Sequence, residues 1–213
     1  MDDNLKQRVS PRQERSVHTI NLILNTSLAL LQEVGFNTFT TKLVAERANI
    51  RIRNIYRYFP NKLAIIAALA ERMTQKEEAF LDNFSMIANP EIDWETAVRT
   101  TIESFAEKSF EDKSLITIRH ALHGSPKLLE LDRVSNHKIA EMLICALKAR
   151  GTSLSDELLM VASEIIIDAT TVILNKTAYE YYSSKDRNKA EMRITELIRL
   201  IISYGSHLFP QTN

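Results

Sequence analysis

The chain has 213 residues, of which 45% are apolar and 25% are charged, and its formal net charge is zero. This length fits one or two domains, and the apolar fraction is ample for a globular core. Cys145 is the only cysteine, which excludes an intramolecular disulfide and suits a reducing cytoplasm. The N-terminal residues lack a signal-peptide core, and the most apolar stretch, 158–174, is too short to span a bilayer. We therefore expect a cytoplasmic protein without a membrane segment.

Apolar residues recur at helical spacing along the chain. Ser10-Pro11-Arg12-Gln13 resembles a capping box, and apolar residues then follow at steps of three and four until Gly35 ends the first helix. The sequence predicts two short helices at about 41–48 and 52–58, around the turn Ala48-Asn49-Ile50. A fourth helix, opened by Pro60-Asn61-Lys62, is expected to run to about residue 84.

The second half of the chain is also helical throughout. Asp93 is expected to cap a fifth helix that runs to about Phe110, and another helix covers about 114–123. A long helix after Gly124-Ser125-Pro126 ends near residue 150, and the last two helices cover about 155–183 and 187–208. The predicted fold class is therefore all-α, with about nine helices.

Positive charge is concentrated near the two short helices. Residues 1–65 hold ten Lys/Arg and five Asp/Glu, whereas residues 66–213 hold seventeen and twenty-two. The second short helix presents Arg51, Arg53 and Arg57, and a short helix with several arginines suits insertion into a DNA major groove. The charge asymmetry places a basic footprint where this helix-turn-helix lies.

The residues of this region resemble the DNA-binding domain of the TetR family of bacterial transcriptional regulators. The matching positions are Gly35-Phe36, Phe39-Thr40-Thr41, Val44-Ala45, Ala48, Ile50, Ile55-Tyr56, Tyr58-Phe59 and Lys62. Three positions depart from the family pattern: Asn49 replaces the usual glycine of the turn, Arg51 replaces a Ser or Thr helix cap, and Arg53 replaces a small residue. Asn tolerates a left-handed backbone better than most residues, so the turn is expected to survive.

The resemblance implies a role for each residue of the reading region. Arg53 is expected to grip guanine, Asn54 to pair with adenine, and Ile52 to contact a thymine methyl, with Arg57 also at a base-contacting position. Phosphate contacts are implied for Thr40, Thr41, Tyr56, Tyr58 and Lys62, and Arg51 suits either role. Lys42 completes the predicted DNA-binding set.

The resemblance also divides the chain into a DNA-binding domain (1–60), a connecting helix (61–84) and a domain for ligand binding and dimerisation (85–213). Candidate walls of a small-molecule pocket are Trp94, Phe105, Arg119, His120, His123, Met142, Cys145, Asp168 and Thr171, several of which also suit ordinary core packing. Asp168 lies in an apolar run, where a buried carboxylate would need a partner from its own fold, a dimer mate or a ligand.

The last two helices predict a homodimer. Residues 155–183 are apolar nearly all round, and the final helix repeats apolar residues, with Gly205 suited to close helix contact. The predicted interface is Ile165, Val172, Ile194, Ile198, Ile201, Gly205 and Leu208. A homodimer would read a near-palindromic operator with half-sites one helical turn apart, about 34–36 Å, or a multiple of it.

The sequence thus predicts a ligand-responsive DNA-binding regulator, which the resemblance implies is a repressor, and not an enzyme. It has no metal-cluster spacing, phosphate-cradling glycine loop or nucleophile elbow, so no cofactor or metal is expected. Two alternatives stay open: a helical interaction protein whose helix-turn-helix no longer reads DNA, and a helical-bundle metalloenzyme using Glu103, Glu107, His120 and His123.

Overall fold

The computed structural model of the protein describes residues 5–7, 14–78 and 83–209. In these ranges the chain forms ten α-helices and no strand, which confirms the all-α fold class. The helices are α1 (Glu14–Thr38), α2 (Thr41–Arg47), α3 (Ile52–Tyr58), α4 (Lys62–Glu78), α5 (Asn83–Ala88), α6 (Trp94–Glu111), α7 (Lys113–Leu122), α8 (Pro126–Ala149), α9 (Asp156–Ser184) and α10 (Arg187–Gly205). A 3-10 turn, Ser206–Leu208, follows α10. The helix that was not predicted is α5, which begins near the expected end of the fourth helix at about residue 84 and extends beyond it.

Local signals set several helix ends. The Asp93 carboxylate accepts a hydrogen bond from the Thr96 amide at 3.0 Å and so caps α6, as predicted. Gly35 has non-helical backbone angles (φ 70°, ψ 174°), which confirms that the regular part of α1 ends there. The predicted capping box at 10–13 lies outside the described residues.

The chain divides into two compact units. The first consists of residues up to 76 together with 117–132, and the second of 77–116 and 133–213. The segment 117–132, which holds the end of α7 and the start of α8, thus belongs with the helix-turn-helix and not with the residues around it in sequence. The functional domain bounds given above stay a prediction.

The first unit is a helical body in which α1 and α4 are joined by side-chain contacts. Ile20, Ile23 and Leu24 of α1 are buried, whereas Val17, which the spacing of three and four residues predicts on the same face as Ile20 and Leu24, is 41% exposed. The Arg72 guanidinium of α4 donates to the side-chain oxygens of Asn25 at 3.1 Å and Asn21 at 2.7 Å. These bonds tie α4 to α1 along their length.

The second unit is built around α6, α9 and α10, which pack together in one apolar cluster. The five predicted interface residues of the last helix and turn lie inside this cluster or against α6. Ile198 is 1% exposed, and Ile194, Ile201, Gly205 and Leu208 are also buried within the single chain. They therefore face the protomer's own core, which corrects their assignment to a dimer interface.

Gly205 is required for packing inside the protomer. A Cβ at this position would lie 2.1 Å from the Trp94 ring, although the glycine backbone itself is helical. Trp94 also donates from Nε1 to the carbonyl of Ile202 and packs edge-on against Phe209. The close approach predicted for Gly205 exists, but its partner is a ring of the same chain.

The described helices include none long and apolar enough to cross a membrane.

Candidate nucleic-acid interface

The helix-turn-helix begins at a capped helix. The Thr40 hydroxyl accepts a hydrogen bond from the Leu43 amide at 3.2 Å, so it caps α2. The turn that follows contains Asn49 at φ 51°, one of two non-glycine residues with positive φ in the described chain. The left-handed position expected at Asn49 is therefore present. The bond from the Ile50 amide to the Ala45 carbonyl, at 3.0 Å, closes the turn.

The reading helix α3 is held by its buried side. Ile55 and Phe59 are fully buried, as are Phe39 and Val44 from the preceding segments. Arg51 occupies the helix-cap position without a side-chain cap bond, as expected from the loss of Ser or Thr there. Packing, and not a cap, therefore fixes where α3 begins.

The opposite side of α3 is exposed and cationic. The side chains of Arg51, Arg53, Asn54 and Arg57 are all exposed, and Ile52 is 39% exposed. The cations supply donors for guanine edges or phosphates, and an exposed apolar residue among them suits a thymine methyl. Lys42 of α2 and Arg51 also border an open groove of about 560 Å³ at the turn.

A hydroxyl pair joins the two helices at this surface. The Thr41 Oγ1 and the Tyr56 hydroxyl lie 3.1 Å apart, and 43% of Tyr56 is exposed. Both groups donate and accept hydrogen bonds, so the pair can offer a proton to a phosphate oxygen while it fixes the Tyr56 ring. Sequence reasoning named both residues but not their contact.

An ion pair braces α2 against α1. The Arg47 guanidinium donates to both carboxylate oxygens of Glu33, at 2.9 and 2.7 Å. This hydrogen bonding, with the charge of Arg47, lowers the pKa of Glu33. The sequence did not predict this pair, since the two residues are fourteen positions apart. One of the cations counted in the basic footprint is thereby engaged within the fold.

Two residues expected at phosphates lie in other surroundings. Only 5% of Tyr58 is exposed, because its ring packs in the core of the unit. The Lys62 Nζ donates to the carbonyls of Phe36 at 3.1 Å and Phe39 at 3.3 Å, and it lies 4.2 Å from the centroid of the Phe36 ring. Lys62 is partly buried and ties α4 to the end of α1, so its ammonium already has partners in the protein.

The nine candidate ligand residues do not form one cluster. Arg119, His120 and His123 belong to the first unit, and the other six belong to the second. In the second unit, Trp94, Phe105 and Met142 pack against the core cluster, Cys145 is exposed, and Thr171 is half-buried.

Asp168 is not the buried carboxylate that its apolar neighbours suggested. It lies on the exposed side of α9, and the Asn136 amide donates to its Oδ1 at 3.1 Å. The apolar run around it therefore has one face in the core and one face outside.

Arg119 and His123 converge on a carboxylate that sequence reasoning did not name. Asp132, 7% exposed, lies 3.5 Å from the Arg119 Nη1 and 3.3 Å from the His123 Nε2. Partial burial, and then the nearby His123, lower the pKa of His120. These contacts join the end of α7 to the start of α8 within the first unit.

The residues of the metalloenzyme alternative are engaged elsewhere. Glu103 pairs with Arg99, Glu107 pairs with Arg187, and His123 faces Asp132. Across the described ranges there is no group of three or more His, Cys, Asp or Glu arranged to hold a metal ion.

The different surroundings of Lys42 and Lys62 predict different effects on DNA binding. Lys42→Ala removes an exposed cation, so the salt dependence of duplex binding should fall by about one phosphate contact per protomer, with an unchanged melting temperature. Lys62→Ala should lower the melting temperature and leave the salt slope per folded molecule unchanged. Fluorescence anisotropy over a salt series, together with calorimetry, measures both. If Lys62→Ala has normal stability and its duplex binding depends less steeply on salt, Lys62 contacts a phosphate as predicted.

Comparison with known proteins is consistent with this geometry. Residues 23–69 match the family model described as bacterial regulatory proteins, tetR family. Over 53 residues the chain is 42% identical to the class A tetracycline repressor protein from transposon 1721 of Escherichia coli. That alignment covers 25% of this chain and 24% of the repressor, so the chain spans about a quarter of this relative's length.

Solved structures show that the fold is shared over most of the chain. SmeT, the repressor of the Stenotrophomonas maltophilia multidrug efflux pump SmeDEF, superposes with a TM-score of 0.63 at 15% identity, over 89% of this chain and 91% of SmeT. A TetR-family transcriptional regulator from Streptomyces coelicolor gives a TM-score of 0.58 at 19% identity, over 90% and 99% of the two chains. Residues 23–69 therefore match the TetR family of bacterial regulatory proteins, and the chain shares its fold with these solved regulators.

Proposed function

We propose that the protein is a sequence-specific DNA-binding repressor that acts as a homodimer and leaves its operator when a small molecule binds. The observation that supports sequence-specific DNA binding is the exposed face of α3. Arg53, Asn54 and Ile52 offer there the donors, the amide and the apolar contact by which proteins distinguish base pairs, on a helix whose other side is fully buried. Repression is inferred from relatives that are themselves named repressors.

The homodimer rests on an exposed apolar stripe that runs along α9. Large apolar side chains lie outward at steps of three, four and seven residues, which is one face of a helix. They are Leu158, Val161, Ile165, Val172 and Tyr179, each about half exposed. An apolar face of this length suggests a protein interface. Of the predicted interface residues, Ile165 and Val172 belong to it.

The last helix extends this surface. Met192 is 70% exposed and Leu200 is 51% exposed, on the side of α10 opposite its buried residues. We infer that the outward faces of α9 and α10 meet those of a second copy. Two copies would then present two α3 helices to two operator half-sites, as in other helix-turn-helix dimers.

The ligand proposal is supported by two buried hydroxyls of α9. Ser163 is fully buried and Thr177 is 2% exposed, and neither side-chain oxygen has a hydrogen-bond partner in the described residues. Buried polar groups are usually satisfied, so a ligand that hydrogen-bonds there would gain affinity. SmeT has been solved as a complex with triclosan. We propose a largely apolar effector with at least one polar group, bound among α6, α8, α9 and α10.

The operator is the first thing to measure. Selection of random duplexes by the purified protein, read by sequencing, should recover a near-palindromic site. Arg53→Ala should weaken binding to this site by about 1–3 kcal/mol and relax base choice at one position per half-site. Arg51→Ala, one cation removed at the helix cap, is the matched control for charge loss. Binding without any sequence preference would favour the alternative of an interaction protein that does not read DNA.

Two exposed valines give a matched test of the dimer. Val172→Glu places a charge in the α9 stripe and should produce folded monomers that lose tight operator binding. Val134→Glu, on α8 and 46% exposed, should remain dimeric. Sedimentation velocity at micromolar concentration, with circular dichroism as the check on folding, measures the outcome. A dimeric Val172→Glu protein would place the interface elsewhere.

The effector can be sought in the protein as purified. Native mass spectrometry of the dimer should detect a co-purified small molecule, and adding it to the operator complex should release DNA, with a coupling of about 1–3 kcal/mol. The two hydroxyls lie about 21 Å apart along α9, so one of the variants Ser163→Ala and Thr177→Val, and not both, should weaken the release without changing operator affinity in the absence of the molecule. If bound molecules are found and none changes operator affinity, regulation by a ligand fails while DNA binding stands.

A further inference from the structure

Gly124 lies in the turn between α7 and α8, and its missing side chain makes room for the ring of Phe36. A Cβ at position 124 would lie 2.3 Å from the Phe36 Cδ1 and 2.5 Å from its Cγ and Cε1. These distances are far below any van der Waals contact. The turn therefore rests directly on the residue that follows Gly35, where the regular part of α1 ends.

Space, and not backbone conformation, is what position 124 requires. The glycines with positive φ in the described chain are Gly35 and Gly151, so the backbone of Gly124 is one that any residue adopts. An alanine at 124 would need no left-handed backbone, and the nearest atoms to its methyl group would be those of the Phe36 ring. This makes the contact testable with a single methyl group.

The other side of the contact is fixed by Lys62. Its ammonium lies 4.2 Å from the Phe36 ring centroid, within the range of a cation–π interaction, and it donates to the carbonyls of Phe36 and Phe39. The ring cannot turn away from position 124 without disturbing this contact.

The clamped segment leads directly into the DNA-facing residues. Phe39 is fully buried, Thr40 caps α2, and Thr41 contacts the Tyr56 hydroxyl of α3. A shift of Phe36 therefore moves the start of α2, and with it the Thr41–Tyr56 pair.

The turn that carries Gly124 is itself braced. Asp132 of α8 faces Arg119 of α7 and His123, which follows the end of α7, one on each carboxylate oxygen. These contacts link residues before Gly124 to a residue after it, so they hold the two ends of the turn together.

We propose that Gly124 and Phe36 are positioning residues for DNA recognition: the α7–α8 turn sets the place of α2 and α3 through the Phe36 ring. Residues 117–132 thereby contribute to operator affinity without touching DNA. The proposal rests on the proposed function, because its readout is operator binding.

A double-mutant cycle on the selected operator tests the contact. Gly124→Ala should weaken operator binding about 5- to 100-fold, the size of an ordinary coupling between sites. Phe36→Ala should also weaken it, since the clamp is lost. The double variant should bind no worse than Phe36→Ala alone, because the added methyl then meets no ring. Phe36→Leu provides a second background for the same comparison.

The control is a second glycine at which an added Cβ would make an equally short contact. Gly205→Ala places a methyl group against Trp94 in the other unit. The factors by which Gly205→Ala and Phe36→Ala weaken operator binding should therefore multiply. Binding to a random duplex separates positioning from simple loss of folded protein. Positioning lowers the ratio of operator to random-duplex affinity, whereas loss of folded protein lowers both affinities equally.

Each result decides between the two ideas. The positioning proposal is overturned if Gly124→Ala binds the operator as tightly as the unmodified protein. It is also overturned if the factors by which the changes at 36 and 124 weaken binding multiply. DNA binding stands in both cases. An unmodified protein that selects no duplex overturns the proposed function before the cycle begins.

Discussion

The DNA-facing surface depends on the burial of one side of a seven-residue helix. Isolated helices shorter than about 12–15 residues are marginal in water, so α3 cannot hold its shape through its own backbone bonds. Its N-cap, Arg51, makes no side-chain cap bond, and its buried residues, Ile55 and Tyr58, together with the buried Phe59 at its C-terminal end, supply the stability instead. The direction in which Arg53 and Tyr56 point is therefore a product of tertiary packing. Any change that loosens this core moves the residues that would meet DNA.

Local chemistry is the part of this fold that the sequence revealed well. The left-handed turn at Asn49, the cap at Asp93 and the break at Gly35 each depend on one residue and its immediate neighbours. The helix-turn-helix was recognisable for the same reason, since its spacing is compact. By contrast, the Glu33–Arg47 pair and the Gly124–Phe36 contact join distant positions that have no common local pattern. Nothing in a single sequence shows that two such residues meet.

The errors concern which surface a helix face meets. Helical spacing identified the shared face of Ile194, Ile198 and Ile201, but the same stripe suits a protomer core and a dimer seam. In the structure that face packs against α6 and α9 of its own chain. In α9, apolar on most sides, the outward stripe was hidden among core residues, and Asp168 was assigned to the wrong side. The spacing of Lys62 from α3 could not show that its ammonium donates to the carbonyls of Phe36 and Phe39, so its phosphate contact stays a prediction.

The same internal contacts limit how strongly one protomer can hold DNA. Of the cations in the N-terminal region, Arg47 is engaged by Glu33 and Lys62 by two carbonyls, so the positive charge that faces outward on α2 and α3 is smaller than the count of basic residues suggests. Lys42, Arg51, Arg53 and Arg57 remain on the exposed side. Because affinity for duplex DNA grows with the number of neutralised phosphates, so few cations favour weak binding by a single copy. A second copy, as proposed above, would double these contacts and add a second reading helix. Tight and selective operator binding would thus need both the apolar stripe of α9, which joins two copies, and the basic face of α3, which contacts DNA.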